Sequence, residues 1–510
     1  MPERRRTAAR PVPARLASFQ ASCDNSRDSA SPGHARNHRG TYPGHKLDPP
    51  RPRNLFRGWR NRIVHQSSAV GIKRLRGDAY AALLRGTASA FGAQVAGTGL
   101  AFALQVYLAR TLGTSHFGTY AYAIAWLSVL ALFGQLGLDS ATLRFVPEYA
   151  ATGRFARLRR FLSLSQSWTI SASLGLLVVA TSATVAFRST LGTVTAQSLV
   201  IAFLAIPILA QMQLASSRLR AFQRIGWSQF PRLVLLPALV LGGSWAYFVV
   251  LDGRPVPQAA VLIYLLFALL VMVVVSLLSA RVLRERERDF SGSDVEATQP
   301  ADQREWLSVG LSLLLASGFG VVMTYADTLM IGVFLDPRDV GIYAATTRLA
   351  RLTALPLMAV NAIVAPMISR MYHAADHGDL AKLVRMSALL VIAIELPVIV
   401  GLVSFGDTAL GLFGTDFTLG YSALLILLVG QAVNAAAGPV GFLMTMTGDH
   451  RRSVSILGTC ALANVCLNAA LIPRYGIVGA AVSTAGTTAT WNVAMYVVVR
   501  KRLGFRPSIF

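Results

Sequence analysis

Cysteine, charge and recognisable catalytic motifs are all scarce in this sequence. Of 510 residues only three are cysteine, at Cys23, Cys460 and Cys466. That is too few for a disulfide framework or a zinc cage. Cys460 and Cys466 stand six apart on one apolar stretch, so on a helix they leave from different faces and act as packing residues. None of the eight histidines falls within a long apolar run, and His373 and His377 sit beside a polar break. The sequence contains no H-E-x-x-H, no G-x-S-x-G and no Walker-type glycine loop. These absences argue against zinc peptidase and serine hydrolase chemistry and against a built-in ATP motor. Charged residues make up 14% of the chain, against about 25% in an ordinary soluble domain.

What is abundant is apolar: 54% of residues are hydrophobic and the mean hydropathy is +0.51. The formal charge is nevertheless +24, and residues 1–80 carry half of it, with 17 basic and 5 acidic residues. This stretch is rich in Pro, Arg, Ser and His and has no apolar periodicity, so it reads as a disordered basic tail. Arg4-Arg5-Arg6 has no apolar core behind it, which argues against a signal peptide. No folded nucleic-acid motif accompanies the tail, so its expected neighbours are anionic lipid headgroups and no specific nucleic acid is implied.

Beyond the tail, long apolar runs alternate with short polar breaks. A helical span needs about 20 apolar residues to cross the hydrocarbon core. Spans 1 to 6 fall at 86–109, 118–138, 161–187, 194–216, 233–251 and 257–280. Spans 7 to 12 fall at 306–335, 340–367, 386–404, 419–446, 453–472 and 477–499. The breaks after even-numbered spans hold 19 Lys and Arg, and those after odd-numbered spans hold 5. Positive residues mark the cytoplasmic side, so both termini and the even-numbered breaks are expected inside.

The two halves repeat. Leu112-Gly-Thr-Ser-His-Phe-Gly118-Thr-Tyr120-Ala121 aligns with Leu335-Asp-Pro-Arg-Asp-Val-Gly341-Ile-Tyr343-Ala344 at an offset of 223, which also pairs Tyr149 with Tyr372. Six spans per repeat is an even number, so the halves are parallel repeats related by an axis along the membrane normal. The expected organisation is a tail over 1–80, an N-lobe over 81–281 and a cytoplasmic linker over 282–305. A C-lobe over 306–503 and a short cytoplasmic end over 504–510 follow.

Ionisable residues at membrane depth are functional candidates, because each is costly unless paired or hydrated. Arg348 and Arg351 lie in span 8 and share one helix face. Asp327 lies in span 7 at similar depth, across a tight turn. One reading is an Asp327–Arg348 ion pair that fixes the hairpin. The other is an anion site in which both guanidiniums clamp a phosphate or diphosphate. One acid cannot neutralise two arginines, which favours the anion site. Glu395, mid-span 9, is either a coupling-ion or proton site or a paired carboxylate at the lipid interface. Among the neutral polar residues in the spans are Gln211, Gln213, Asn361, Gln431, Asn434, Asn464, Asn468 and Asn492. Singly they suit hydrogen bonds between helices, and as a set they suit a path for a glycan. Pro207, Pro237, Pro356, Pro397 and Pro439 free backbone groups within spans and permit bending.

The segment Ala109-Arg110-Thr-Leu-Gly113-Thr-Ser-His-Phe117-Gly118-Thr-Tyr120, with Gly137-Leu-Asp139-Ser-Ala-Thr-Leu-Arg144-Phe-Val-Pro-Glu-Tyr149, resembles the opening of polysaccharide-biosynthesis flippases. These belong to the multidrug/oligosaccharidyl-lipid/polysaccharide exporter superfamily. Ala326-Asp327-Thr-Leu-Met-Ile-Gly332, Gly430-Gln431 through Met446-Thr447-Gly448, and Ile472-Pro473-Arg474-Tyr475-Gly476-Ile-Val-Gly479 are similar to the later part of the family pattern. The resemblance covers residues 84–503. It implies an all-α integral membrane fold of about twelve helices, two six-helix bundles forming a V. It also implies flipping of a polyprenyl-diphosphate-linked oligosaccharide across a bacterial inner membrane by alternating access, for surface polysaccharide biosynthesis. Membrane lipids and polysaccharide polymerase machinery are the implied partners; no cofactor, metal or enzymatic activity is implied. Arg348 and Arg351 are the diphosphate candidates, and Asp327 and Glu395 the ion-pair or coupling candidates. Two rivals remain: a cation-coupled multidrug exporter of the same superfamily, and an integral-membrane glycan polymerase or acyltransferase. The first would want a carboxylate-rich first lobe, and the second larger external loops or an intramembrane histidine.

Overall fold

A long apolar run that cannot leave its backbone groups unpaired in lipid must form helix or close into a barrel. Here it forms helix: among the described residues of the computed structural model, which are 69–289, 300–374 and 377–504, there is no strand. Residues 74–510 make one unit. Of the other unit, residues 1–73, only 69–73 are described, as helix. Most of the segment read as a disordered tail therefore lies outside the described residues, and helix begins at Ala69. In the linker, helix continues to Asp289 and resumes at Pro300, with 290–299 outside the described residues, as are 505–510 at the far end.

Among the described residues, ten helical stretches are long and apolar enough to cross a membrane. Two of them, Gly92–Thr152 and His450–Leu503, run to 61 and 54 residues, far beyond the length of one crossing. Each is interrupted by a glycine in a conformation closed to other residues. Gly113 has φ 74° and ψ 171°, and Gly476 has φ 58° and ψ −141°. These are the breaks between spans 1 and 2 and between spans 11 and 12.

Four other spans are irregular, and span 4 is split at Leu204 into Thr193–Phe203 and Ala205–Ala221. Span 8 is split into Pro337–Leu352 and Leu355–His373, with Pro356 in the first turn of the second piece. Span 10 is split at Gly438-Pro439 into Tyr421–Ala437 and Val440–Met446. Span 5 carries two π-helical turns, at Pro231–Leu235 and Ala246–Val250. In span 8, span 10 and the first π-turn of span 5 a proline or glycine removes a helical hydrogen bond or cannot hold the regular turn.

Packing relates the halves. One large core takes residues from both, and from the second half it includes Tyr343, Phe413 and Phe417 near the arginine-poor breaks. Phe102 meets Phe413 edge-on at 5.5 Å, and Phe117 meets Phe417 at 5.8 Å. At the basic end the cores separate. One is built from Leu357, Val364, Val384 and Leu443 of the second half. The other, from Phe145, Tyr149 and Phe161 of the first half, also receives Trp306. At that end the halves stay in contact, since span 7 brings Gly310 against Gly137 backbone to backbone.

Candidate functional site

Span 7 positions the first candidate. Asp327 is buried and takes three hydrogen bonds, each from a neutral donor. Tyr343 Oη–H and Thr484 Oγ1–H both donate to Oδ2 at 2.5 Å, and Asn468 Nδ2 donates to Oδ1 at 2.7 Å. The donors come from spans 8, 12 and 11, so a single carboxylate ties four spans together. A second layer supports it. Asn464 Nδ2 donates to Thr484 Oγ1 at 3.2 Å and to Thr487 Oγ1 at 3.4 Å, while Asn464 Oδ1 accepts from Asn468 at 3.1 Å. Asn468 Oδ1 is left without a partner.

The Asp327–Arg348 ion pair considered from the sequence does not form: among the described residues no acid lies within 4 Å of either arginine. Arg351 Nη2 donates to the Thr324 carbonyl at 2.7 Å, and its side chain remains exposed. Arg348 is half-buried, close enough to Arg351 and to Tyr120 of the first half to interact with both electrostatically. The arginines also lie near the C-terminal end of helix Pro337–Leu352, where the helix dipole favours a cation. The structure thus brings Arg348 and Arg351 together and keeps Asp327 on its own hydrogen bonds, near enough to act on Arg351 but not within 4 Å of either guanidinium.

Glu395 is placed apart from this group. It is 0% exposed, and neither carboxyl oxygen has a hydrogen-bond partner. The Thr353 hydroxyl is within reach but gives its hydrogen to the Ala350 carbonyl at 2.7 Å. Glu395 therefore lies beside the break in span 8.

Sequence reasoning passed over a second basic group. Arg218, Arg220 and Arg232 were counted with a polar break, yet all three are at least partly covered by helices. Arg232 sits in the first π-turn of span 5 and donates to Gln213 Oε1 at 2.8 Å. Arg218 donates to the Leu162 carbonyl at 2.9 Å and to Gln166 Oε1 at 3.1 Å. Asp139 is near enough to Arg220 and Arg232 to act on both. The available signal was that Arg232 directly follows Pro231 at the head of an apolar run; a break read as solvated loop concealed it.

Comparison with known proteins follows this architecture. Residues 83–372 match the family described as polysaccharide biosynthesis protein, and residues 313–470 match MatE. The probable low-salt glycan biosynthesis flippase Agl15 of Haloferax volcanii is 27% identical over 386 residues, covering 74% of this chain and 75% of that protein. Among solved structures, the lipid II flippase MurJ in its inward closed conformation superposes with a TM-score of 0.62 at 14% identity, over 80% of this chain and 87% of that one. An inward-facing multidrug resistance MATE family transporter superposes with a TM-score of 0.59 at 17% identity, over 78% and 94%. This chain is a membrane protein of the polysaccharide biosynthesis protein family, built on the fold of the multidrug/oligosaccharidyl-lipid/polysaccharide exporter superfamily.

Proposed function

We propose that this protein moves a polyprenyl-diphosphate-linked oligosaccharide across a bacterial cytoplasmic membrane by alternating access. The observation that carries this reading is the pair Arg348 and Arg351: two cations on one face of one helix, within the membrane, with no acid against them. A diphosphate supplies the missing charge and accepts the forked hydrogen bonds that guanidinium groups direct. Arg220 and Arg232, nearer the basic end, form a first electrostatic contact for the same headgroup. The headgroup enters from the basic, cytoplasmic end, while the polyprenyl chain stays in lipid. Closing of that end and opening of the other then delivers the glycan outside. Asp327 is the proposed coupling residue: a proton or metal cation bound there would neutralise the one carboxylate that ties spans 7, 8, 11 and 12 together.

Support comes from the family match and from a relative named as a glycan biosynthesis flippase. The drug-exporter alternative draws on the MatE match and the MATE-like fold. It lacks a carboxylate-rich first lobe, since Asp139 lies beside Arg220 and Arg232. The test is replacement of both Arg348 and Arg351 by Ala, followed by analysis of lipid-linked glycan on each leaflet. Export is expected to be lost while membrane insertion is retained. Full export by a properly inserted double variant overturns the assignment. Drug sensitivity with normal glycans in a deletion strain would support the exporter instead.

A further inference from the structure

A cavity of mixed polar and apolar lining lies in the C-terminal half, and neither Arg348 nor Arg351 lines it. It measures about 330 Å³ and sits where span 10 breaks, with Gly438, Pro439 and Gly441 along its wall. Asn361 of span 8, Asn434 of span 10 and Asn492 of span 12 also face it, with the Trp491 indole and the Ser453 hydroxyl. Two of the amides are already oriented. Asn492 Nδ2 donates to Asn434 Oδ1 at 3.1 Å and to the Thr488 carbonyl at 2.9 Å, and Asn434 Nδ2 donates to Gln431 Oε1 at 3.4 Å.

Asn361 differs from them. It is 8% exposed, and its Oδ1 has no hydrogen-bond partner. A buried acceptor left unmade is costly, so a turn of the amide that offers this oxygen to a ligand hydroxyl in the cavity would be favoured. The break strengthens the case. Gly438 at φ 69° and ψ −150° stops the helix, and Pro439 has no N–H to restart it. Discontinuous membrane helices are where transporters commonly build their binding sites.

The lining also restricts the ligand. It contains no charged residue, so it offers no counter-charge to a diphosphate or to an organic cation. Leu357, Phe442, Leu457 and Met495 complete the wall, and a polyprenyl chain would cover them but leave the amides beside them without partners. Amide donors and acceptors beside an aromatic side chain suit a neutral ring bearing several hydroxyls, whose O–H groups pair with the amides and whose C–H face covers the indole.

We propose that this cavity is a subsite for one neutral hexopyranose ring of the transported glycan, with Asn361 as its anchoring acceptor and Trp491 as part of the platform. The inference rests on the glycan-transport reading and divides recognition in two: charge at Arg348 and Arg351, sugar identity here.

The test uses the full-length protein in lipid nanodiscs, titrated calorimetrically with the methyl glycosides of glucose, galactose, mannose and N-acetylglucosamine. The wild type is expected to bind at least one of them, and Asn361→Leu to weaken that binding about tenfold or more. A Cβ on Gly441 meets only Met495 Sδ, at 3.7 Å, so Gly441→Leu fills the cavity without removing a polar group. It is expected to abolish binding, while the Arg348→Ala/Arg351→Ala variant retains it. No binding of any of the four by the wild type, or equal binding by both cavity variants, overturns the subsite. Glycoside binding by a wild type that exports no lipid-linked glycan sinks the flippase reading and leaves the subsite standing.

Discussion

Gly118 and Gly341, equivalent positions of the two repeats, pack against each other backbone to backbone across the junction of the halves. A Cβ on Gly341 would lie 3.1 Å from the Gly118 amide nitrogen and closer still to the Thr114 carbonyl; a Cβ on Gly118 would strike the Pro337 carbonyl. The repeat therefore places two small residues where its pseudo-symmetry axis brings the lobes together. Gly341→Val is expected to wedge this end apart. Overpacking of this kind costs about 1–3 kcal/mol, and thermal unfolding in detergent should register it. Accessibility of a cysteine placed at Thr119 should rise in the variant. Unchanged stability and accessibility would mean that the contact has little weight.

The Asp327 hub makes a stability prediction. Tyr343→Phe removes one charge-assisted hydrogen bond while keeping the ring, at a cost of about 1.5–3 kcal/mol. Asp327→Leu leaves Tyr343, Thr484 and Asn468 without their common acceptor and should cost more than Tyr343→Phe. Denaturation of the purified variants gives the order, and a reversed order would show that the carboxylate destabilises its own surroundings.

Asp327 and Glu395 are separable as coupling candidates. Asp327 holds its donors in fixed positions, whereas Glu395 touches no hydrogen-bond partner. Asp327→Asn is expected to abolish transport. Glu395→Gln, nearly isosteric, is expected to leave transport intact and to shift stability by less than about 1 kcal/mol. Transport by Asp327→Asn together with loss in Glu395→Gln would reassign coupling to span 9.

Trp306 carries a similar contrast at the basic end. Its Nε1–H donates to Tyr149 Oη at 2.8 Å, and its ring is fully buried against Phe161. Trp306→Phe should cost about 0.5–1.5 kcal/mol for the hydrogen bond. Trp306→Ala should cost about 3–5 kcal/mol for the emptied site. A double-mutant cycle with Tyr149→Phe isolates the polar share, and a zero coupling energy would leave only packing.

Much of this was legible from pattern. The apolar runs, the Lys and Arg asymmetry and the Gly118/Gly341 alignment depend on residue type and spacing, which the chain displays directly. The pairing of Asp327 was not legible, because its partners Asn468 and Thr484 lie more than 140 positions away. An acid and an arginine at equal depth suggested an ion pair, but depth does not specify which face of span 7 carries the acid, and the face turned out to meet spans 11 and 12. The covering of Arg220 and Arg232 was missed for a related reason: a short polar break looks solvated until the neighbouring helices are in place.

By itself the sequence determined that this chain is helical and spans a membrane, and its paired glycine motifs pointed to a repeat. Hydrophobic length, charge bias and repeat are local or periodic properties, and lipid admits few structures that satisfy the backbone. Only the tertiary structure decided which polar groups inside the spans are satisfied and which remain open. Asp327 is closed by three donors; Arg348, Arg351 and the Asn361 carbonyl oxygen are not. That distinction depends on which helix faces meet, and at membrane depth it separates a structural contact from a binding group.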